Sequence, residues 1–408
     1  MKIRLALATA AIALMTASAA QAGTITFNTD NADPAPRAAM EALIEQFQAD
    51  NPDITVEMNV FDREAYKTAI RNWLASDSPP DVVTWYAGER MNTFAELGLF
   101  SDVTDVWQDN DLFDLMSSSA SALAYDGVQY GVPFTYYQWG VYYRTDIFED
   151  NGIEVPETFD DLIAACVTLR EADIAPVAIG TRYLWTAAGW FDYLNLRTNG
   201  LDYHMGLMAG EIPYTDDGVR ETFANWQRLL DANCYIDNHA AYSWQEAVPF
   251  VVQGEAAMYL IGNFITPFFP QDDIENYGFF QFPVINPDIG MYEDAPIDTF
   301  HIPTNASNPE DARRFLAYLA EAGVQTQINE ALLQLPPNSD SVVLDDPFLE
   351  SGFAMLSAAD GIAQFYDRDT DPEMARTGME GFQEFMVNPD RLDGILERLD
   401  RTRQRIFR

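Results

Sequence analysis

Three residue types are scarce in this chain of 408 residues, and each scarcity closes off a class of function. There are 3 histidines and 2 cysteines, too few for zinc clusters or iron–sulfur centres. Lysine is nearly missing: among the 23 basic residues only Lys2 and Lys67 are lysines, the rest being arginine. Positive charge as a whole is short, since 64 acidic residues leave a formal net charge of −41. Nucleic acid and anionic membrane surfaces both demand a basic face, so neither is expected as a partner. No nucleophile elbow, zinc-binding His pair, phosphate loop, internal repeat or low-complexity linker is present. No cofactor is called for. After the first few residues no apolar run is long enough to cross a bilayer.

What is present begins with an export signal. Lys2 and Arg4 precede an apolar stretch from Leu5 to about Ala13, and Ala20-Gln21-Ala22 supplies the small residues of a cleavage site. Residues 1–22 therefore read as a signal peptide, and the mature chain as a periplasmic, soluble one. No cysteine precedes Cys166, which argues against a lipoprotein. In an oxidising compartment Cys166 and Cys234 are read either as a structural disulfide or as two separate buried thiols.

With 48% hydrophobic and 13% aromatic residues the chain can build more than one core. Strand and helix patterns alternate: strands over 24–27, 54–60 and 81–85, helices over 37–49 and 63–75. Met40, Leu43, Ile44 and Phe47 share one helical face. This order implies a mainly parallel sheet covered by helices on both faces. The same grammar resumes beyond a Gly/Pro/aromatic break at 131–139, with a helix over 156–170 opened by a Thr158–Asp161 capping box and a strand over 174–179. Asn308-Pro309-Glu310-Asp311 opens a further helix.

Three ordered stretches carry a resemblance. The first is Tyr142-Tyr143-Arg144-Thr145-Asp146-Ile147-Phe148, then Asn151-Gly152-Ile153 and Pro156-Glu157-Thr158-Phe159. The second is Trp244-Gln245-Glu246-Ala247, then Gln253-Gly254-Glu255-Ala256-Ala257-Met258 and Gly262-Asn263-Phe264. The third is Phe282-Pro283-Val284, then Phe300-His301-Ile302-Pro303, before the Asn308 helix. In this order and spacing the chain resembles the extracellular solute-binding proteins (family 1) of ABC importers, in the carbohydrate-binding branch that includes maltose-binding protein.

The resemblance implies a periplasmic binding protein-like type II α/β fold, with two lobes, a ligand cleft between them and a hinge crossed three times. By motif position the crossings fall at 135–138, 297–299 and 322–325. The N-lobe is then 23–135 plus 299–322, and the C-lobe 138–297 plus 325–408. It also implies a monomeric receptor that hands a sugar to permease subunits in the inner membrane.

A neutral sugar needs planar donors and acceptors for its hydroxyls and aromatic rings for its C–H faces. Strand ends and loop tips supply the candidates: Asn28 and Asp30 after the first strand, Arg63 after the second, and Trp85, Tyr86 and Glu89 after the third. The first crossing adds Tyr136, Tyr137, Gln138 and Trp139. Further along come Tyr183, Trp185, Trp244, Gln245 and Asn263, then Asp298 at the second crossing. Arg368, within Asp367-Arg368-Asp369-Thr370-Asp371, is a last candidate, a salt-bridged turn being the alternative. That run does not fit a calcium loop, because Pro372 and Gly378 stand where Gly and Glu are needed. Asp62 with Arg63 also fits a plain helix start, and Asp33 a cap. Trp244 is expected to be displayed, given its polar neighbours, and Trp107 and Trp226 to be core. Two other functions stay open: a secreted carbohydrate-active hydrolase using acidic residues, and a receptor for a non-sugar solute such as a polyamine.

Overall fold

The computed structural model describes residues 23–407, so the expected signal segment lies outside the described residues. The chain starts with β1 (Gly23–Thr29), α1 (Pro34–Asp50), β2 (Ile54–Val60), α2 (Arg63–Leu74), β3 (Val82–Tyr86) and α3 (Glu89–Glu96). Local chemistry accounts for these boundaries. Pro34 opens α1, Met40, Leu43, Ile44 and Phe47 are its buried face, and the Asn51 N–H closes it on Phe47 O. The Asp62 carboxylate caps α2 by accepting from the Glu64 and Ala65 N–H groups at 3.1 and 3.0 Å.

The chain then enters β4 (Val132–Tyr136) and, two residues later, β5 (Trp139–Arg144). These strands belong to different sheets. Beyond β5 follow α4 (Phe159–Glu171), β6 (Ala175–Val177), α5 (Trp185–Asn199), α6 (Asp217–Asp231), α7 (Trp244–Val252), β7 (Ala256–Gly262) and β8 (Tyr277–Phe280). β9 (Ile297–His301) returns to the first sheet, giving the order β2-β1-β3-β9-β4, and the second sheet runs β8-β5-β7-β6. In the first, β1 is parallel to β2 and β3, while β9 runs antiparallel to β3 and β4. In the second, β8–β5 and β5–β7 are antiparallel and only β6–β7 is parallel. The expectation of parallel sheets thus holds for the first three strands and fails for the second sheet. β5 reaches its neighbours through long connections that leave strand direction free.

Each sheet has its own core. One gathers residues between Ile25 and Phe134 with Ile297–Ile328; the other gathers Tyr137–Phe282 with Phe348–Leu399. After β9 the chain adds α8 (Pro309–Leu319) and α9 (Ala322–Leu332) to the first core. This corrects the third crossing expected at 322–325. Val324 and Ile328 are buried in the first core, α9 packs on α1, and the chain leaves only past Leu332, where Leu335 bridges to Tyr136. Gly323 reads as a helix stop in the sequence, but the break between α8 and α9 is a tight corner within one core. Later segments, among them α10 (Tyr366–Asp369) and α11 (Pro372–Val387), return to the second core.

His301 is fully buried at the end of β9 and stacks on Phe100 with ring centroids 4.3 Å apart. Its Nδ1 lies 2.8 Å from Tyr130 O and its Nε2 2.5 Å from Thr299 Oγ1. A carbonyl oxygen only accepts, so Nδ1 carries the hydrogen and Nε2 accepts from the hydroxyl. Burial lowers this imidazole to about 4 and that of His204 to about 3. Below about pH 6.5 the unfolded chain then takes protons that the native chain refuses, so these groups stabilise less as pH falls. Asp369, raised by burial to about 6, acts with the opposite sign between its ordinary value and 6. Comparison with His301→Gln separates the effects. Between pH 7.5 and 5 the wild-type chain should lose about 2 kcal/mol more than the variant in denaturant titrations; parallel losses would refute the assignment.

Candidate functional site

Between the two cores lie two adjoining chambers. The first is lined from one side by Arg63 and Lys67 of α2 and Tyr86 of β3. From the other side come Trp139, Trp185, Phe264, Phe365, Asp367 and Arg368, with Tyr137 and Pro296 at the crossings. It measures about 40 Å³, well under the roughly 150 Å³ that accepts a benzene ring. The second, about 320 Å³, shares Arg63, Tyr137 and Phe264 with the first. The cores therefore stand close together around the first chamber.

Its second-core wall is aromatic. Trp139 meets Trp185 at 6.0 Å, Phe264 at 6.1 Å and Phe365 at 4.7 Å between ring centroids. Trp185 opens α5, so its ring stands at a helix start rather than inside a helix face. Tyr86 faces this wall from the end of β3. The Lys67 ammonium reaches between, 6.0 Å from the Tyr86 ring and 6.0 Å from the Trp185 ring. Burial lowers the Lys67 amine below its ordinary value, against the pull of Glu64.

The charges pair off. Arg63 approaches Asp30 at 3.6 Å and Lys67 bonds Glu64 at 3.1 Å. Arg90 bonds both the backbone and the carboxylate of Asp367. The Arg368 Nη1 donates to Ile297 O at 2.9 Å and lies 2.9 Å from Asp298 Oδ1, while Nη2 donates to the Tyr137 hydroxyl at 2.9 Å. Its guanidinium also lies 4.3 Å from the Tyr86 ring centroid. Burial raises the Asp298 carboxyl, with Arg368 and Arg63 pulling the other way. Burial likewise lowers Arg63, but Asp30 and its neighbours outweigh it and leave the group above its ordinary value. Four cations thus face four carboxylates. Two of these pairs, Arg90–Asp367 and Arg368–Asp298, tie one core to the other.

Backbone shape allows that approach. Gly88 sits at φ +76°, and a Cβ there would lie 2.5 Å from the Arg368 carbonyl oxygen. A side chain at this position would push α10 away from the end of β3.

Of the sequence candidates, Arg63, Tyr86, Tyr137, Trp139, Trp185, Asp298 and Arg368 line the chambers. Asp30 stands behind them, holding Arg63 and accepting from the Thr84 and Tyr86 hydroxyls at 3.1 and 3.3 Å. The others are placed elsewhere. Asn28 is buried and accepts from Asn59 Nδ2 at 3.0 Å. Trp85 is buried against Phe94 and gives its indole N–H to Arg90 O. Glu89 pairs with Asn92 in the first turn of α3. Tyr136 lines a separate cavity with Phe353 and Gln364. Gln138 is fully buried, donating to Phe348 O at 3.0 Å. Asn263 is also buried, bonded to the Tyr142 hydroxyl and Leu333 O. Tyr183 and Gln245 are exposed to solvent outside the chambers.

Trp244 needs the plainest correction. It is 6% exposed, packed behind Phe264 at 5.0 Å and Phe268 at 5.3 Å. The Ser243–Glu246 capping box makes it the first residue of α7 and turns its ring inward. Trp244→Ala should therefore melt earlier, by about 3–5 kcal/mol of cavity cost. Trp185→Ala should instead weaken ligand binding about five- to a hundredfold, with a smaller change in melting. Calorimetric titration and thermal melting of both variants check this, and reversed results would refute it. Trp226, 0% exposed, is core as expected.

Sequence reading missed Lys67, Phe264, Phe365 and Asp367. Lys67 stood one helical turn beyond Arg63, a spacing that shares a face. Asp367 directly precedes Arg368 in the sequence.

The model of the bacterial extracellular solute-binding protein family matches residues 31–326. The bacterial solute receptor AcbH, described as having an exclusive preference for β-D-galactopyranose, is 30% identical. It superposes at TM-score 0.90 over 95% of this chain and 100% of its own. An uncharacterized ABC transporter extracellular-binding protein of Pyrococcus horikoshii is 26% identical over 334 residues, 79% of this chain and 74% of that one. The multiple sugar-binding protein of Streptococcus mutans is 23% identical, covering 70% of this chain and 68% of its own. Since the family match spans most of a chain that also carries the two sheets and the cleft, this protein belongs to the bacterial extracellular solute-binding protein family.

Proposed function

We propose that this chain is a periplasmic carbohydrate receptor, exported by residues 1–22, that works as a monomer and delivers its sugar to an ABC import permease. The observation that carries the reading is the first chamber, where an aromatic wall stands beside charges that cancel. Rings offer a face to apolar C–H groups, and guanidinium and carboxylate groups offer planar donors and acceptors to hydroxyls. With Arg63, Lys67, Arg90 and Arg368 matched by Asp30, Glu64, Asp367 and Asp298, the site suits a neutral polyhydroxylated ligand. A polyamine would need carboxylates without partners, so the pairing weighs against that alternative. In a hydrolase the same acids would need to be free for proton transfer, and three of the four are held by arginine.

The relatives named for sugars point the same way. The narrow first chamber implies that ligand enters when the cores part and Lys67 swings aside, after which closure around it dominates the population.

The test is a thermal-shift panel of neutral mono- and disaccharides and polyamines on the mature protein. At a hundredfold excess over Kd a true ligand adds about 2.7 kcal/mol of stability. A shift with polyamines alone would overturn the reading, and so would release of reducing ends from an oligosaccharide during incubation.

A further inference from the structure

The second chamber is built differently from the first. Its walls are Pro34 and Pro36 at the start of α1, Phe134 and Leu332 from the first core, and Pro267 and Phe268 from the second. Phe268 keeps 39% of its surface exposed there, although it is a large apolar ring. The polar groups on these walls are mostly committed. Asp298 faces Arg368, Arg63 faces Asp30, and Gln334 Oε1 accepts from Thr135 Oγ1 at 2.9 Å. Two groups are exceptions. Asn31 is only 7% exposed and its Nδ2 has no hydrogen-bond partner among the described residues. The Asp33 carboxylate, exposed to solvent at the start of α1, makes no capping hydrogen bond to the helix it precedes. A second sugar ring presents hydroxyls around its whole edge, and this chamber would leave most of them unpaired in an apolar setting. An apolar group joined through one acceptor oxygen matches both features.

We infer that the second chamber is a subsite for an apolar aglycone, so that the transported ligand is a glycoside whose sugar occupies the first chamber and whose apolar substituent lies between Pro34–Pro36 and Pro267–Phe268. The inference rests on the carbohydrate reading and deepens it. Contiguity supports it: Arg63, Tyr137 and Phe264 line both chambers, so one linked molecule spans them. Both cores contribute to the apolar rim, so an aglycone there is clasped on closure and adds to the affinity of the closed state. The Asn31 amide donates to the linking oxygen or to a polar atom on the substituent.

The experiment compares methyl and phenyl β-glycosides of D-galactose, D-glucose and D-xylose by calorimetric titration. For whichever sugar binds, the phenyl glycoside is expected to bind about ten- to a hundredfold tighter than the methyl glycoside. Phe268→Ser should remove most of that increment and leave methyl glycoside affinity within about twofold. A phenyl glycoside no tighter than its methyl counterpart overturns the aglycone subsite while the carbohydrate reading stands. Equal weakening of both glycosides by Phe268→Ser also overturns it, because the sugar itself would then sit in the second chamber. If no sugar or glycoside of the three series binds while a polyamine does, the carbohydrate reading falls and takes this inference with it. Melting curves of Phe268→Ser confirm that the variant is folded in each case.

Discussion

Replacing both Cys166 and Cys234 by alanine should cost the second core about 4 kcal/mol of stability. The two are joined across a sequence separation of 68 residues, with Cα atoms 5.2 Å apart. Closing a loop of that length removes roughly this much free energy from the unfolded ensemble in the chain-entropy account. Both cysteines are fully buried, one on α4 and the other just past α6, and alanine leaves only a small cavity. The enclosed loop contains β6, α5 and α6, so the crosslink stabilises the helix that presents Trp185. The loss should therefore appear twice. The second core should melt earlier than the first, splitting the transition, and hydrogen exchange should quicken at the start of α5. Reductant added to the native chain should give the same melting curve as the alanine pair. An unsplit, unshifted transition would mean that packing alone holds this segment. The sequence admitted a disulfide or two separate thiols, because spacing does not say whether a residue within one helix and a residue just past another meet. Only the packing of α6 over α4 decides it.

Legibility follows a similar line elsewhere. Periodic and capping signals are local, so the buried face of α1, the Asp62 cap and the Thr158–Asp161 box could be read directly from residue order. The placement of Arg63, Tyr137, Trp139 and Trp185 at element ends was legible for the same reason, since strand ends and helix starts face the crevice in α/β folds. What failed was the choice between adjacent residues. Asn263 looked the better ligand than Phe264, but Asn263 satisfies Tyr142 and Leu333 inside the protein, leaving Phe264 to the cleft. Gln138 likewise turns toward Phe348, and a Cβ at Gly352 would lie 2.3 Å from its Nε2, so only glycine fits opposite. Polar character predicts that a side chain seeks partners, without saying whether they are protein or ligand. Those partners lie 70 or more positions away, beyond any local pattern. The third crossing failed for a related reason: Gly323 ends a pattern, but tertiary packing of α9 on α1 decides which core that pattern joins.

Arg368→Met should destabilise the chain by about 3–5 kcal/mol and weaken ligand binding by at least tenfold. The substitution removes the partner of a carboxylate that is nearly out of water, since the Asp298 side chain is 15% exposed and that of Arg368 8%. Breaking one side of such a pair leaves an uncompensated charge, which costs more than the pair contributes. It also removes the donors to Ile297 O and the Tyr137 hydroxyl and the cation over Tyr86. Arg368 comes from α10 on the second core, while Ile297 and Asp298 belong to β9 of the first. Its loss should therefore loosen the closed arrangement as well as the site. Small-angle scattering of the free variant should give a larger radius of gyration than the wild type, and Gly88→Ala, which forces α10 off β3, should move it the same way. A cycle through Asp298→Asn separates charge from shape. If the cost is the stranded carboxylate, Arg368→Met/Asp298→Asn should recover about half or more of the lost stability, with a coupling of roughly 1–3 kcal/mol. Affinity should not recover with it, because the planar donors for ligand hydroxyls are still gone. Recovery of both would mean that Arg368 merely neutralises Asp298. Recovery of neither would mean that its packing against Tyr86 and Tyr137, rather than its charge, holds the two cores together.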